Sequence, residues 1–176
     1  TRGEQSAEVL EEFLSDSPSQ QVYVITGVRG SGKTVLMADL AREIREHDDW
    51  IVVELNPERD LLDSLLSKLK SENKIREIFR SINIDLSFFG LTLGVSGGMP
   101  VTDIETALDK ILEGFKSHGK KLLITIDEAV NNQNMRAFIS AFQIQLRNDL
   151  PVFLLMTGLY DNIENLQNEK TLTFLY

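Results

Sequence analysis

The run Gly27-Val28-Arg29-Gly30-Ser31-Gly32-Lys33-Thr34 carries the first chemical signal in this chain. It fills each fixed place of G-x-x-x-x-G-K-[ST], a loop whose backbone N–H groups form a nest around a polyphosphate. Glycine at 27, 30 and 32 permits φ values and close approaches that a Cβ would block. Lys33 is spaced to reach β- and γ-phosphate oxygens, and the Thr34 hydroxyl to ligate Mg²⁺. The nucleotide-binding segment is therefore read as Gly27 to Thr34 with Val35 directly after it; Val28, Arg29 and Ser31 fill the variable places, and the Arg29 side chain is given no role. The bland alternatives are a glycine-rich turn that binds nothing and a site kept for folding that has lost hydrolysis.

A dinucleotide loop competes for the same glycines. It needs G-x-G-x-x-G after a strand and an acid about 20 residues later. Gly30-Ser31-Gly32 would open it and Glu54 lies at a suitable distance, but the third glycine falls on Val35 and Lys33-Thr34 goes unexplained. The phosphate loop is the better reading.

Asp127 and Glu128 form the second signal. They end Leu122-Leu123-Ile124-Thr125-Ile126, an aliphatic run that reads as a central strand. At the C-terminal edge of a parallel sheet such a pair points into the crevice where ligands bind. Asp127 would hold Mg²⁺ through its water shell, and Glu128 would orient or deprotonate the attacking water. Many strands end in acids that merely cap helices, so the pair gains its meaning from the phosphate loop upstream.

Thr157 is the third candidate, at the end of Val152-Phe153-Leu154-Leu155-Met156. Placed between the two earlier strand ends, its hydroxyl could touch the γ-phosphate or the attacking water. Capping of the following turn is the competing role.

These groups need strands and helices to bring them together. Val22-Tyr23-Val24-Ile25-Thr26 has the β-branched, uncharged character of a buried strand leading into the loop. After the loop, Leu36, Met37, Leu40, Ala41 and Ile44 recur at helical spacing. A strand over Ile51 to Leu55 is closed by Asn56-Pro57. Leu61, Leu62, Leu65, Leu66 and Leu69 form a helical stripe, continued loosely by Ile75, Ile78 and Phe79. Further helices are expected around Ile104 to Phe115 and Met135 to Leu146, and a short one from about Gln5 to Leu14, joined to the first strand through Ser15-Asp16-Ser17-Pro18-Ser19. Alternation of strand and helix predicts an α/β fold with parallel pairing and right-handed crossovers. Leu86 to Gly98 breaks the alternation. It is β-prone, glycine-punctuated and uncharged, which suits an inserted hairpin or edge strand around 84–97 or, less economically, an exposed surface for a partner.

The three strand ends together resemble the P-loop ATPases that set a catalytic glutamate beside the magnesium aspartate. Within that class the chain is similar to AAA-type ATPase domains near the origin-recognition and archaeal-ATPase groups, and the Leu159 to Ile163 and Leu172 to Tyr176 runs look like prokaryotic ATP-binding proteins of this kind. The resemblance covers nearly the whole chain. It sets Walker A on Gly27 to Thr34, Walker B on Leu123 to Glu128, and the sensor-1 position on Thr157. Arg2-Gly3-Glu4 is similar to the Gly-Arg-Glu opening that such domains place near the adenine, with the first two residues in reversed order. The resemblance implies a three-layer P-loop NTPase core with a mostly parallel sheet, of the additional-strand catalytic-glutamate class, binding ATP and Mg²⁺. It also implies that the fifth core strand, helical lid, sensor-2 arginine and any winged-helix domain fall outside residues 1–176, which read as one core domain. Such domains often complete their site with an arginine from a neighbouring copy. Arg136 and Arg147 could serve in this way, although surface ion pairing suits each better.

Composition narrows the partners. The chain has 176 residues, a length that fits one domain with a sizeable core. It has no cysteine, which excludes disulfides and thiol chemistry. No apolar run approaches the roughly 20 residues of a membrane span, and no signal pattern opens the chain, so a cytoplasmic location without membrane contact is expected. His47 and His118 sit among charges and read as solvated. With 27 acidic against 18 basic residues, the net charge of −9 offers duplex DNA no bulk attraction. Lys116, Lys120 and Lys121 read as solubilising charge, so nucleic acid is expected only through a missing domain.

Two function classes follow. One is Mg-dependent ATP hydrolysis coupled to conformational change or partner binding, with self-association through the core as an option. The other is a nucleotide-dependent scaffold with little or no hydrolysis. Absence of the guanine-reading N-K-x-D tetrapeptide favours adenine. A small-molecule kinase would need an arginine-rich lid, for which the sequence shows no cluster.

Overall fold

Alternating side chains along the strands divide the interior in two. In the computed structural model, which describes residues 2–82 and 101–168, strands β1 (Val22–Thr26), β2 (Trp50–Leu55), β3 (Lys121–Ile126) and β4 (Val152–Gly158) form a single sheet in the order β1-β4-β3-β2. Every pairing is parallel. Helices α1 (Arg2–Phe13) and α2 (Lys33–Arg45) supply one face of the core, and α3 (Leu61–Ser71), α4 (Asn73–Ile82), α5 (Val101–Ser117), α6 (Gln133–Arg147) and α7 (Tyr160–Asn168) belong to the other.

The period of two is visible in β3. Leu122, Ile124 and Ile126 pack with Leu65, Leu108, Phe138 and Met156, whereas Leu123 packs with Leu40, Ile44, Trp50 and Phe153. A strand buried on both faces has to be apolar at nearly every position, and the uncharged runs of β3 and β4 follow from that.

Phe13 anchors α1 to the sheet. It is fully buried, with ring centroids 5.3 Å from Tyr23, 5.1 Å from Phe153 and 6.4 Å from Trp50. The turn after α1 is closed by Glu12, which accepts from Ser19 and from the Gln20 backbone and whose carboxyl is thereby held below its usual pKa.

The leucine stripe of α3 is entirely core. Helix α3 starts at an N-cap in which Asp60 accepts from the Asp63 N–H at 3.1 Å. The continuation expected through Ile75 is a separate helix: Glu72 adopts an extended conformation (φ −78°, ψ 123°) that ends α3 and lets α4 start in a new direction. Helix α7, not foreseen from the sequence, begins directly after β4 and buries Ile163 and Leu166. The hairpin expected around 84–97 and the Leu172 to Tyr176 run lie outside the described residues.

Candidate active site

Parallel pairing brings the three strand ends to one edge. Register sets Thr26 beside Gly158 and Ile126 beside Met156, so β4 lies between the strand that feeds the phosphate loop and the strand that ends in Asp127 and Glu128. This is the relative placement expected for Thr157.

The loop has the shape its glycines allow. Gly30 and Gly32 take φ of 78° and 87°, in the left-handed region that suits glycine, and Gly32 is the N-cap of α2. No side chain caps α2, so its opening N–H groups and positive dipole end are left toward the loop. Lys33 folds back over the loop, donating to the carbonyl of Gly27 at 2.8 Å and of Val28 at 2.7 Å.

Thr34 reaches across to β3. Its hydroxyl lies 2.9 and 3.1 Å from the two carboxylate oxygens of Asp127. A hydroxyl and a carboxylate in contact are hard oxygen donors of the type Mg²⁺ takes, and this pair fits the ion expected between them.

Thr157 joins the same network from behind. It is fully buried; its hydroxyl donates to Asp127 and accepts from the Glu128 backbone N–H at 2.9 Å. The backbone N–H of Ala129 adds a 2.8 Å bond to the Thr157 carbonyl. These bonds fasten a bend in which Glu128 takes φ of 54°, uncommon for a residue with a side chain. The Thr157 hydroxyl is thus engaged with the Asp-Glu segment and does not line the cavity in front of it.

That cavity, about 530 Å³, is lined by Arg29, Gly30, Gly32, Lys33 and Thr34 of the loop and the opening of α2, by Glu128, Ala129 and Val130 after β3, by Gly158, Leu159 and Asn162 at the β4–α7 corner, and by Glu58. Gly27, Val28, Ser31 and Val35 lie outside this lining, and Val28 and Val35 are exposed at 75% and 56%. Asp127 is bonded to Thr34 and is not itself part of the lining.

Two polar lining residues, Glu58 and Asn162, were not singled out from the sequence. Glu58 follows the Asn56-Pro57 that ends β2, and its loop is tied to the Asp-Glu side because Asn132 donates to the Pro57 carbonyl at 2.9 Å. Asn132 also caps α6 through the Met135 N–H at 2.8 Å. The available signal for Asn162 was the Leu159, Ile163, Leu166 spacing, which marks a helix opening right after β4.

The two arginines on α6 differ in placement. Arg136 is half-buried and donates to the Asn131 amide oxygen at 2.8 Å, while Arg147 is exposed in the last turn. Lys116 bonds to the Asp149 carbonyl and carboxylate. Among the described residues no group of three or more His, Cys, Asp or Glu side chains is placed to hold a metal ion, and no helix is long and apolar enough to cross a membrane.

Comparison with known proteins places this geometry. A model of an ATPase domain predominantly from Archaea matches residues 4–173. Among solved structures, Cdc6p from Pyrobaculum aerophilum superposes with a TM-score of 0.61 at 18% identity, over 99% of this chain and 43% of that one. Orc1 from Aeropyrum pernix, solved in complex with DNA, gives 0.62 at 14% identity, over 99% and 42%. The chain thus spans less than half the length of either, and at these identities the likeness establishes the fold: the three-layer, parallel P-loop core anticipated from the sequence. No curated protein matches the chain.

Proposed function

The chain belongs to this family of ATPase domains found predominantly in Archaea, and from that premise we propose that it binds ATP with Mg²⁺ and hydrolyses the terminal phosphate. The supporting observation is that Lys33, Thr34 and Glu128 line one cavity and that Thr34 is bonded to Asp127. A glycine-shaped loop, a hydroxyl–carboxylate pair and a further carboxylate are the groups that this chemistry uses.

The residues divide the work. Backbone N–H groups of Gly30 to Thr34 hold the polyphosphate against the α2 N-terminus. Lys33 exchanges the carbonyls of Gly27 and Val28 for phosphate oxygens, where its charge opposes the charge that develops in phosphoryl transfer. Thr34 and Asp127 would hold Mg²⁺, the hydroxyl as a direct ligand and the carboxylate through water, and the ion would supply neutralisation of the charge on the phosphate oxygens. Glu128, projecting into the cavity from its bend, orients the attacking water and takes its proton. Adenine as the base, coupling of the nucleotide state to movement, and self-association through the core belong to the same proposal. Any contact with DNA, of the kind the A. pernix protein makes, is assigned to chain outside these residues, since this domain carries a net charge of −9.

Calorimetry with ATP, GTP and their diphosphates plus Mg²⁺, followed by phosphate release, tests the proposal. Wild type should bind ATP and release phosphate; Lys33→Ala should lose binding; Glu128→Gln should bind and not turn over. Absence of binding heat at millimolar ATP refutes the reading, and undiminished turnover in Glu128→Gln removes the assigned base.

A further inference from the structure

Arg29 fills a variable place of the phosphate loop, and the sequence gives its side chain no role. The fold puts it in the cavity all the same, in a lining that also holds Lys33, Thr34 and Glu128. Charged side chains of both signs line that space: Arg29 and Lys33 are cationic, Glu58 and Glu128 anionic.

The two cations differ in what holds them. The Lys33 ammonium is bonded to the carbonyls of Gly27 and Val28. The Arg29 guanidinium makes no hydrogen bond or ion pair with any described residue. Its backbone, by contrast, is tied down. The Val28 carbonyl, which belongs to the peptide bond leading into Arg29, accepts from the Ser31 N–H at 3.2 Å as well as from Lys33, and Gly30 turns the chain with φ of 78°. An exposed arginine without a partner is ordinary surface charge in most places. This one stands on a shaped loop in a cavity suited to an anion. The other arginines considered for the site are placed differently: Arg136 is engaged by Asn131, Arg147 lies in the last turn of α6, and neither lines the cavity.

A guanidinium stays charged and offers a planar fork of donors that meets phosphate oxygens in pairs, which an ammonium does not. In phosphoryl transfer such a group opposes the charge gathering on the transferred phosphate, and its loss costs about 10³–10⁵ in rate. We propose that Arg29 contacts the bound polyphosphate from this chain's own loop, so that one copy holds the arginine its hydrolysis uses and borrows none from a neighbour. This rests on the ATP-hydrolysing reading above. Self-association, where it occurs, then adds no charged group to the chemistry. Lys33 and Arg29 are also linked: when the ammonium leaves the Val28 carbonyl for phosphate, the peptide that carries Arg29 loses one of the two bonds on that carbonyl.

Phosphate release and ATP affinity with Mg²⁺, measured for wild type, Arg29→Ala and Arg29→Lys across a series of protein concentrations, test the assignment. Turnover per wild-type chain should not change with concentration. Arg29→Ala should lower it on the order of a thousandfold at saturating ATP, while affinity falls by less than about tenfold. Arg29→Lys keeps the charge without the fork and should stay well below wild type. Mixing Arg29→Ala with Glu128→Gln separates the chain's own loop from a neighbour's. A borrowed arginine would pass from the Glu128→Gln copy to a copy whose glutamate is intact, and activity would return; the mixture should instead remain as inactive as its parts. Undiminished turnover in Arg29→Ala at saturating ATP, recovery in the mixture, or wild-type turnover that appears only as concentration rises overturns the assignment and leaves the ATPase reading standing. A wild type that binds ATP and releases no phosphate at any concentration overturns hydrolysis and this proposal together, and one that binds no ATP overturns the nucleotide-binding reading as well.

Discussion

The Thr157 hydroxyl lies 2.9 Å from the backbone nitrogen of Glu128, and the same oxygen donates to the Asp127 carboxylate. One buried side chain on β4 thereby fixes both the orientation of the aspartate that faces Thr34 and the bend that presents the glutamate. Within the proposed mechanism Thr157 acts through these neighbours, as a positioning residue. The geometry of the Asp-Glu pair depends on the strand next to its own.

Replacing Thr157 by Val keeps the volume and removes the hydroxyl, leaving a buried N–H of Glu128 and an oxygen of Asp127 short of a partner. Stability should fall by about 1–3 kcal/mol. Turnover should fall more steeply than ATP affinity, because displacements of about 1 Å at reacting groups can cost about a hundredfold. Thr157→Ser, which retains the oxygen, should restore most of the turnover. Urea unfolding and phosphate release on the pair provide the check, and equal activity of Val and Ser variants would show the hydroxyl to be dispensable.

Glu128 adopts a left-handed backbone (φ 54°) that a side chain disfavours. Glu128→Gly should therefore raise the unfolding free energy by up to about 1 kcal/mol while abolishing hydrolysis. A midpoint shift in urea at constant slope would report it. A destabilised glycine variant would mean that the bend is not strained.

Gly158 has no room for a methyl group. A Cβ there would stand 2.7 Å from Ile163 Cδ1, 2.9 Å from Ile163 Cγ1 and 3.4 Å from the Ala129 carbonyl oxygen. Gly158→Ala should cost about 1–3 kcal/mol by overpacking. It should also push α7 off its seat, so ATP affinity ought to drop together with stability, and Ile163→Val in the same chain should recover part of both. Loss of stability without any change in ATP binding would separate the seat of α7 from the site.

Asp109 gives a pH handle far from the chemistry. Burial raises its carboxyl pKa, the charge of Glu113 adds to the shift, and a hydrogen bond from Gln145 opposes it. A folded-state pKa above the unfolded one means that its contribution is greatest below the unfolded value and is lost as pH rises through the folded value. Asp109→Asn should therefore be more stable than wild type at pH 7, with the gap closing in acid. Melting temperatures compared at acid and neutral pH will show the convergence; a gap constant with pH would assign the effect to packing.

Local patterns made most of the fold legible in advance. β1 and β4 fall on the residues their apolar runs mark, while β2 and β3 each begin one residue earlier, at Trp50 and Lys121, whose bulk and charge hid them. At Trp50 the ring is buried, and Lys121 lies over it at 5.5 Å. The break between α3 and α4 was not legible, because Ile75 keeps the apolar period through Glu72, where only the backbone turns. Helix α7 was not foreseen, although Leu159, Ile163 and Leu166 carry helical spacing. The phosphate loop is contiguous and could be read whole. Asn162 and Glu58 reach the cavity through tertiary packing; the spacing of Leu159, Ile163 and Leu166 marks the helix that carries Asn162 but not its place in the cavity, and nothing next to Glu58 announces it. The same holds for the bond from Thr157 to Asp127, which spans 30 positions and two strands.

The two carbonyl contacts of Lys33 have a consequence for ligand affinity. The ammonium bonds the carbonyls of Gly27 and Val28 and so ties the start of α2 back to the start of the loop. A phosphate that recruits Lys33 competes with these main-chain oxygens, so part of the attraction is spent on exchange and the remainder sets the measured constant. In return the loop meets its ligand already shaped. Recognition here is a swap of partners on a finished scaffold, which favours rapid loading over extreme tightness.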